Sequence, residues 1–400
     1  MTPAARRLVL LLGMAGFIVM ADNWVVSPIL PAISKSVGVR PEAAGVLIAA
    51  YMLPFGIFQL VFGPLADRLG KTRVILGTFI AFSVATALCA LGTTLTGIAF
   101  FRALTGLFAA ATMPISLALI ADVVPMENRQ EAIGAFMGIA FLGQALSMGI
   151  GGAIAYFFDW RGVFIVYAVV AAVIATALWR GLQSAAEGYE TRDAHAPIVK
   201  PYLSLLSHGP SVRTYALILV EGVFLLGSFS YLGAVLAARF NLSFLAIGGV
   251  MTAFGVGAVI AGRTSAKVAG RLGRVRTIVV GLGLAAVANS LVVVGGSSLP
   301  VTSLGVFLLG FGFMTAHSTL ITVATQFAAR ARGTAMSLVT FAFMVGGAAG
   351  TQLGGRIAGA STFNTMYAAY GVGLLLLAIV AWPALAGADV RLTEAAVQPA

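Results

Sequence analysis

Long apolar stretches alternate with short polar links along the whole chain. About twelve stretches reach roughly 20 residues, which is long enough for a helix to cross the ~30 Å hydrocarbon layer of a membrane. Such segments must be helical, because every backbone polar group in lipid needs an internal partner. The pattern therefore predicts an all-α membrane protein with twelve transmembrane helices. The stretches are Leu8–Ile33, Ala43–Leu65, Val74–Gly92, Gly97–Ala121, Ala132–Phe157, Gly162–Leu182, Arg213–Ala237, Phe244–Ala266, Thr277–Gly296, Pro300–Thr325, Gly333–Arg356 and Asn364–Gly387.

One polar stretch is much longer than the other links. It covers residues 183–211, contains several charges and prolines, and separates six spans from six. We predict an N-terminal six-helix bundle at 1–182, a cytoplasmic linker at 183–211, and a C-terminal bundle at 212–400 that ends in a short cytoplasmic tail. Part of the linker is expected to form an amphipathic surface helix.

The two halves repeat each other at a nearly constant spacing of 203 residues. Several local similarities that share one spacing indicate an internal duplication. Duplicated bundles are typical of secondary transporters, which bind substrate near the middle of the membrane between the repeats. The matching segments are Ala66–Arg73 with Ala269–Arg276, Arg129–Gly138 with Arg332–Phe341, and Gly151-Gly152 with Gly354-Gly355.

Composition excludes a soluble globule. Only 9% of the 400 residues are charged and 60% are hydrophobic, whereas soluble domains carry about 25% charged residues. If the N-terminus is cytoplasmic, eighteen of the 24 Lys and Arg residues fall on the cytoplasmic side. This asymmetry predicts that both termini are cytoplasmic. It also explains the net charge of +11 without a nucleic-acid partner. The membrane is expected to be a bacterial-type inner membrane.

Other chemistries have no support in the sequence. The single cysteine, Cys89, excludes disulfides and a cysteine-based metal site. Walker A, Rossmann and HExxH patterns do not occur, so neither ATP-driven transport nor an ordinary enzyme is indicated. We expect no cofactor and no metal. A cleavable signal peptide is not expected either, because the first apolar run is long enough to span.

The segment GPLADRLGKTR, Gly63–Arg73, joins the second and third spans. It resembles the signature cytoplasmic loop of the major facilitator superfamily, of the form G-x-x-x-D-R-x-G-[RK]-[RK]. The resemblance implies a conformational latch that holds the two halves together while the cytoplasmic side is closed. Its second copy has Gly270 in place of the acid, so the latch should be one-sided. The latch residues are Gly63, Asp67, Arg68, Gly70, Lys71 and Arg73, with Thr72 departing from the pattern.

Three residues of this loop have expected structural roles. Gly63 would let neighbouring helices approach closely, and Gly70 would permit a tight turn. Asp67 would accept hydrogen bonds from a helix N-terminus.

Two further segments resemble motifs of the same superfamily. RALTG, Arg102–Gly106, is similar to its arginine motif on helix 4. GQALSMGIGG, Gly143–Gly152, is similar to the helix 5 motif of its antiporters, although Ser147-Met148 replace the usual Gly-Pro. The resemblance implies two pseudo-symmetric six-helix bundles in a monomer. Glycines in helix 5 and helix 11 are expected to pack the two halves together; those of helix 11 are Gly346, Gly350 and Gly354.

Four ionisable residues lie deep inside apolar segments: Asp22, Arg102, Glu221 and His317. A charge at the bilayer centre costs about 2.5–3.5 kcal/mol, so such residues usually have a partner or a function. Depths estimated from the helical rise predict an outer pair, Asp22 with Arg102, and an inner pair, Glu221 with His317. The residues fall on helices 1, 4, 7 and 10, which line the central cavity in the superfamily that the chain resembles.

These four residues have competing interpretations. Asp22 is either a proton carrier, with Arg102 adjusting its proton affinity, or half of a fixed ion pair. Glu221 has no basic residue at contact spacing on its own helix, and a neutral buried carboxyl suits proton or cation binding. His317 is either a ligand or a histidine satisfied by its own neighbours, which are Thr315, Ser318 and Thr319.

A mainly apolar pocket with isolated acids favours lipophilic or weakly cationic compounds over phosphorylated anions. The hypothesis is proton-coupled efflux by alternating access, similar to the twelve-span drug:H+ antiporters, with Asp22, Glu221 and Arg102 in proton coupling. Alternatives are an exporter, importer or facilitator of a sugar, amino acid or lipid, and a membrane sensor without transport. The predicted substrate contacts are Asp22, Trp24, Tyr51, Gln144, Glu221, Phe224, Tyr231, Phe254 and His317.

Overall fold

The computed structural model describes residues 2–185, 199–327 and 332–395, and within these ranges every regular element is an α-helix. The predicted linker therefore lies partly outside the described residues, as does the end of the tail. The helices are α1 (Pro3–Trp24), α2 (Val26–Ser36), α3 (Pro41–Ala44), α4 (Val46–Leu69), α5 (Lys71–Leu91), α6 (Leu95–Ala109), α7 (Thr112–Val123), α8 (Met126–Phe157), α9 (Trp160–Ala185), α10 (Val199–Leu206), α11 (Gly209–Ser230), α12 (Leu232–Phe240), α13 (Phe244–Leu272), α14 (Arg274–Val294), α15 (Leu299–Gln326), α16 (Arg332–Ala360) and α17 (Phe363–Ala395).

Twelve segments of the described chain are long and apolar enough to cross a membrane. The predicted all-α, twelve-span architecture is confirmed. We number the segments as spans 1 to 12: Pro3–Trp24, Pro41–Leu69, Lys71–Leu91, Leu95–Val123, Met126–Phe157, Trp160–Gly181, Gly209–Phe240, Phe244–Leu272, Arg274–Val294, Leu299–Gln326, Gly333–Ala360 and Phe363–Leu385.

The first apolar run is interrupted. It was predicted as one helix, but α1 ends at Trp24 and α2 begins at Val26. Pro28 has no N–H to donate to the carbonyl of Trp24, so the hydrogen-bond ladder breaks at this point. Pro114 has the same effect on the carbonyl of Ala110, between α6 and α7. The break in the first run lies immediately after the turn that carries Asp22.

The chain separates into two compact units. The first comprises residues 1–198 and 243–248, and the second comprises 199–242 and 249–400. The short helix α10 lies in the predicted linker and belongs to the second unit. The predicted bounds of the linker stay a prediction.

In the first unit, glycines bring helices into direct backbone contact. A Cβ added to Gly106 in span 4 would meet the backbone carbonyl of Tyr51 in span 2. A Cβ added to Gly143 in span 5 would meet the carbonyl of Phe17 in span 1. Small residues at such crossings let backbones approach closely. The first contact holds the helix that carries Arg102 against span 2, and the second holds the helix that carries Asp22 against span 5.

The helix 11 glycines make the same kind of contact inside the second unit. Gly346 lies against the carbonyl of Leu219, and Gly350 lies against the carbonyl of Val223, both in span 7. The expectation that glycines pack one half against the other was therefore wrong for Gly346 and Gly350, and for Gly143 of helix 5. Their spacing predicts a close approach, and the neighbour that uses it is a helix of the same unit. Gly152 of helix 5 does lie against the backbone of the first turns of span 8, at Phe244 and Gly248 in the C-terminal half of the sequence.

An arginine ties three helices together at one end of the first unit. Arg161 Nη1 donates to Ser36 Oγ at 3.3 Å, and Arg161 Nη2 donates to the carbonyl of Gly92 at 3.3 Å. The contact joins the end of α2, the end of span 3 and the start of span 6. We call this arrangement the arginine clasp.

The second unit has a clasp at the corresponding place. Arg239 at the end of span 7 donates to the carbonyl of Val292 and to Asn364 Oδ1. At the repeat spacing of 203 residues, Arg239 corresponds to Ser36 and Asn364 corresponds to Arg161. The arginine and its polar partner have exchanged places between the two halves.

Candidate functional site

The first unit contains a fully buried ion pair. Arg102 Nη1 donates to Asp22 Oδ2 at 2.6 Å, and Arg102 Nη2 donates to the backbone carbonyl of Asp22 at 3.3 Å. Both residues have an exposed fraction of 0%. The structure thus brings together the predicted outer pair and seals it from solvent.

Aromatic rings cover the guanidinium group. Arg102 Cζ lies 4.4 Å from the ring centre of Tyr51 and 5.8 Å from that of Phe164. A cation over an aromatic face is attracted by the ring quadrupole, most strongly where water is excluded. Gly106, one turn beyond Arg102, holds span 4 against the backbone of Tyr51. Tyr51, a predicted substrate contact, is thus a direct neighbour of the ion pair.

The second unit contains the predicted inner pair. His317 Nδ1 lies 2.9 Å from Glu221 Oε2, within hydrogen-bond distance. Glu221 is fully buried and His317 nearly so. The next residue, Gly222, lies against the carbonyl of Phe343 in span 11, which fixes this part of span 7. Glu221 is therefore not isolated, because its partner comes from span 10.

The neighbours of His317 along its own helix do not satisfy the ring. The hydroxyls of Thr315 and Thr319 donate to the carbonyls of Phe311 and Thr315. Ser318 Oγ has no hydrogen-bond partner among the described residues. The interpretation of a histidine satisfied by its own helix is wrong, since its partner is a carboxyl group.

Three phenylalanines extend the inner pair. The His317 ring lies 4.2 Å from the ring of Phe343 and 5.1 Å from that of Phe313, centre to centre. Phe254, a predicted substrate contact, stacks on Phe313 at 5.9 Å. The sequence analysis missed Phe313 and Phe343. Phe313 lies one turn before His317 on the same helix, and this spacing could have predicted its contact with the ring. Phe343 lies in another span, so no sequence spacing connects it to His317.

Two other predicted substrate contacts lie against span 12. The ring of Phe224 is 5.6 Å from that of Tyr370, and the ring of Tyr231 is 5.7 Å from that of Phe363. The Tyr231 hydroxyl donates to the carbonyl of Thr351 at 2.8 Å. These contacts account for both rings as packing within the second unit. Their roles in substrate binding stay predictions.

Trp24 and Gln144 are buried in the first unit. Trp24 ends α1, two residues after Asp22. Gln144 lies in span 5, next to the glycine that contacts span 1, and its Nε2 has no hydrogen-bond partner among the described residues. The amide is thus a free donor within a helix that touches span 1. Neither residue's role as a substrate contact is tested by these positions.

The predicted latch loop is built around a buried lysine. Gly70 turns the chain between α4 and α5 with φ of 97°, a conformation that favours glycine. Lys71 Nζ lies 2.6 Å from Asp122 Oδ2 at the end of span 4 and 3.9 Å from Asp67 Oδ1. Asp122 was not predicted, because nothing along the chain connects it to the loop. Arg68 and Arg73 are exposed.

Gly63 does not have its expected neighbour. Apart from its own helix, no atom of the described residues lies within 4 Å of the position of its Cβ. The predicted close approach at Gly63 is therefore wrong for this structure. Asp67 lies within the last turn of α4, and its Oδ1 is 3.9 Å from Nζ of Lys71, the first residue of α5. The hydrogen bonds expected from the N-terminus of α5 to Asp67 stay a prediction.

The second copy of the loop keeps the glycine turn but lacks the acidic partner of the basic side chain. Gly273 has φ of 83°, at the repeat spacing from Gly70. Arg274 Nη1 donates to Gln326 Oε1 at 2.8 Å, so a neutral amide receives the basic side chain. The one-sided latch inferred from Gly270 stays a prediction.

The described part of the chain contains no candidate metal site. No three His, Cys, Asp or Glu residues there come together in a way that could hold a metal ion. The fully buried acids Asp22 and Glu221 are instead paired with Arg102 and His317.

Replacing Glu221 with glutamine should have only a small effect on stability, about 1 kcal/mol or less. Glutamine has nearly the same shape as glutamate, so its amide oxygen can still accept a hydrogen bond from His317 Nδ1, which lies 2.9 Å from Glu221 Oε2. Glu221→Leu, which leaves the ring without its partner, should lose about 1–3 kcal/mol. Thermal unfolding in detergent compares the two. An equal loss in both variants would mean that the folded protein needs a charged carboxylate there.

The whole chain matches one protein family. The family model described as Major Facilitator Superfamily matches residues 12–351 and 217–396. The chain belongs to the Major Facilitator Superfamily. Among relatives of this superfamily, YceJ of Bacillus subtilis (strain 168), an uncharacterized MFS-type transporter, is 29% identical over 346 residues. The match covers 85% of this chain and 86% of the relative.

Solved structures of superfamily transporters share the fold. A bacterial homologue of the human lysosomal transporter Spinster has a TM-score of 0.75 at 18% identity, covering 98% of this chain and 96% of that one. The nucleoside transporter NupG has a TM-score of 0.77 at 12% identity, covering 94% and 99%. At such identities the similarity shows the fold alone. The chain is a multi-pass membrane protein of a transporter superfamily.

Proposed function

We propose that the protein exports lipophilic or weakly cationic small molecules in exchange for protons, by alternating access. The observation that carries this proposal is the fully buried Asp22–Arg102 pair with its 2.6 Å contact. Ionisable residues inside membrane spans are typical of proton pathways. The Glu221–His317 pair gives the other half of the chain a second such group.

Protonation of Asp22 would weaken its attraction to Arg102. A protonated carboxyl keeps a hydrogen bond but loses the Coulomb interaction. The Arg102 guanidinium would then be bound more weakly by Asp22 and could interact with a different partner. A different arrangement of the helices that carry the pair would be favoured. The helix break at Val25, three residues from Asp22, is a place where such a change can be absorbed.

The surroundings of Glu221 suit the proposed substrate class. Flat apolar compounds can stack on rings such as Phe254, Phe313 and Phe343. A weakly basic nitrogen matches the carboxylate of Glu221, and His317 can release it by taking a proton in its place. Protonated His317 and a cationic substrate would then compete for the carboxylate of Glu221.

The membrane setting is part of the proposal. We infer that both termini lie in the cytoplasm, because the basic residues are concentrated on that side. A monomer in a bacterial inner membrane completes the proposal. The loop at Gly63–Arg73 would act as the cytoplasmic latch. The buried contact of Lys71 with Asp122 supports this by anchoring the loop to span 4.

Transport into proteoliposomes under an imposed pH gradient tests the function. The wild-type protein should move a fluorescent lipophilic cation such as ethidium, and an ionophore that collapses the gradient should stop the movement. Asp22→Asn and Glu221→Gln should each abolish gradient-driven movement. The matched control is Asp159→Asn, which changes a half-exposed acid between spans 5 and 6 and should behave as wild type.

Folded protein is checked for each variant by size-exclusion chromatography. If Asp22→Asn does not fold, Asp22→Asn/Arg102→Gln replaces it, because that variant leaves no unpaired charge. Unchanged gradient-driven movement in both acid variants would overturn the assignment of proton coupling. Movement that ignores the gradient would favour a facilitator of metabolites instead.

A further inference from the structure

Five buried polar atoms, two in the ion pair itself and three from other spans of the first unit, have no hydrogen-bond partner among the described residues. They come from five different spans, and each residue is at most 3% exposed. We call these residues the polar cluster. They are Asp22 (Oδ1), Tyr51 (hydroxyl), Thr86 (hydroxyl), Arg102 (Nε) and Tyr167 (hydroxyl).

Packing of span 3 shows where Thr86 lies. Ser83 Oγ donates to the carbonyl of Ala168 in span 6 at 2.9 Å. Cys89 Sγ lies 3.7 Å from Thr105 Oγ1 in span 4. Thr86 is three residues from both Ser83 and Cys89 and therefore lies on the face between them. Thr86 is thus placed on the face of span 3 that packs against spans 4 and 6.

Packing of span 6 brings Tyr167 to the same region. Phe164 lies against Arg102, and Tyr167 follows three residues later on the same helix face. Arg102 is seven residues from Leu95 at the start of span 4, and Tyr167 is seven residues from Trp160 at the start of span 6. Both therefore lie about 10 Å from the same end of the unit.

Electrostatics agrees with this placement. The field of the Asp22 carboxylate reaches the hydroxyl groups of both Tyr51 and Tyr167. A buried polar atom without a partner lowers the stability of the fold. Several such atoms around one buried charge pair would strongly destabilise the folded protein. Internal water removes this destabilisation, because a buried water typically makes about three hydrogen bonds to otherwise unsatisfied groups.

The second unit shows how the same positions look when the protein satisfies them directly. At the repeat spacing of 203 residues, Thr86 corresponds to Asn289 and Tyr167 corresponds to Tyr370. Asn289 accepts a hydrogen bond from Ser228 Oγ at 2.8 Å. The Tyr370 hydroxyl donates to the backbone of span 11. The place is polar in both halves, but Thr86 and Tyr167 of the first half have no hydrogen-bond partner among the described residues, whereas Asn289 and Tyr370 of the second half do.

We propose that water molecules bind inside the first unit, within the polar cluster, and form hydrogen bonds with Asp22 Oδ1. The donors for this water are the Tyr51, Thr86 and Tyr167 hydroxyls together with Arg102 Nε. The water site is independent of transport. One consequence rests on the proposed function: a proton reaches Asp22 through this water, from within the N-terminal half.

Radiolytic hydroxyl-radical footprinting of the purified full-length protein tests the site. Radicals formed from bound water label the side chains beside it, and mass spectrometry reads the labelling rate of each residue. Tyr51 and Tyr167 should be labelled severalfold faster than Tyr370, which is equally buried but has a satisfied hydroxyl. Tyr156, half exposed at the end of span 5, is the positive control.

Removing one polar group should lower the labelling of the others. Thr86→Val should reduce labelling of Tyr51 and Tyr167 severalfold and leave Tyr156 unchanged. Rates for Tyr51 and Tyr167 equal to that of Tyr370 in the wild type would overturn the water site, whatever the transport assay gives. Strong labelling together with transport that does not depend on Asp22 would leave the water site standing and remove its role in proton supply.

Discussion

Replacing Asp22 with leucine should destabilise the protein by about 3–5 kcal/mol, because Arg102 then remains as a charge without a partner at a fully buried site. The guanidinium cannot escape by losing its proton, since arginine stays protonated in proteins. The expected result is a large drop in the thermal unfolding temperature in detergent, or a loss of folded protein in size-exclusion chromatography.

The double variant Asp22→Leu/Arg102→Met is the decisive companion. Replacing both members of a buried ion pair by apolar residues is often neutral or stabilising, so the double variant should recover most of the stability. If it is as unstable as Asp22→Leu alone, the loss does not come from the unpaired charge.

The same double variant separates the two interpretations of the pair. A fixed ion pair that only stiffens the bundle could be replaced without loss of transport. A proton carrier could not, and the stable double variant should then fail to move ethidium under a pH gradient. Transport at the wild-type rate in the stable double variant would show that Asp22 carries no proton.

Replacing Gly350 with valine should have the second large effect. A Cβ at this position would overlap the backbone carbonyl of Val223 in span 7, and a backbone atom cannot move aside as a flexible side chain does. Overpacking in a tight core costs about 1–3 kcal/mol and sometimes more; we expect the upper end here. The thermal unfolding temperature in detergent measures it.

The matched control is Gly283→Val in span 9. Both changes put the same β-branched residue into a helix, but apart from its own helix nothing lies within 4 Å of the Cβ position of Gly283. Gly283→Val should therefore leave the stability nearly unchanged or raise it by a few tenths of a kcal/mol, because valine has a somewhat higher helix propensity than glycine. Equal losses in the two variants would show that the contact between spans 7 and 11 is not as close as described.

Much of this architecture could be predicted from the sequence. Apolar runs of membrane-spanning length mark the twelve helices, because lipid leaves the backbone no other way to satisfy its polar groups. The two buried pairs could be predicted for a similar reason. The helical rise is constant, so the depth of Asp22, Arg102, Glu221 and His317 along their spans can be estimated within about a turn.

Contacts between distant helices could not be predicted. Glycine spacing at Gly346 and Gly350 shows that a helix approaches closely, but the identity of that helix depends on the packing of the whole unit. Phe343 and Asp122 were missed for the same reason, since each meets its partner from a different span. The break at Val25 was missed although Pro28 signals it, because a run of apolar residues hides the loss of one backbone hydrogen bond.

The arginine clasp shows what a duplicated fold preserves. Arg161 and Arg239 occupy non-equivalent positions of the repeat, yet each bridges the same three helices of its own half through a carbonyl and a polar side chain. What is kept is therefore a location in space that needs a cation, not a column of the aligned halves. A comparison of the two halves letter by letter would score Ser36 against Arg239 and Arg161 against Asn364 as two mismatches, although together they are one conserved joint.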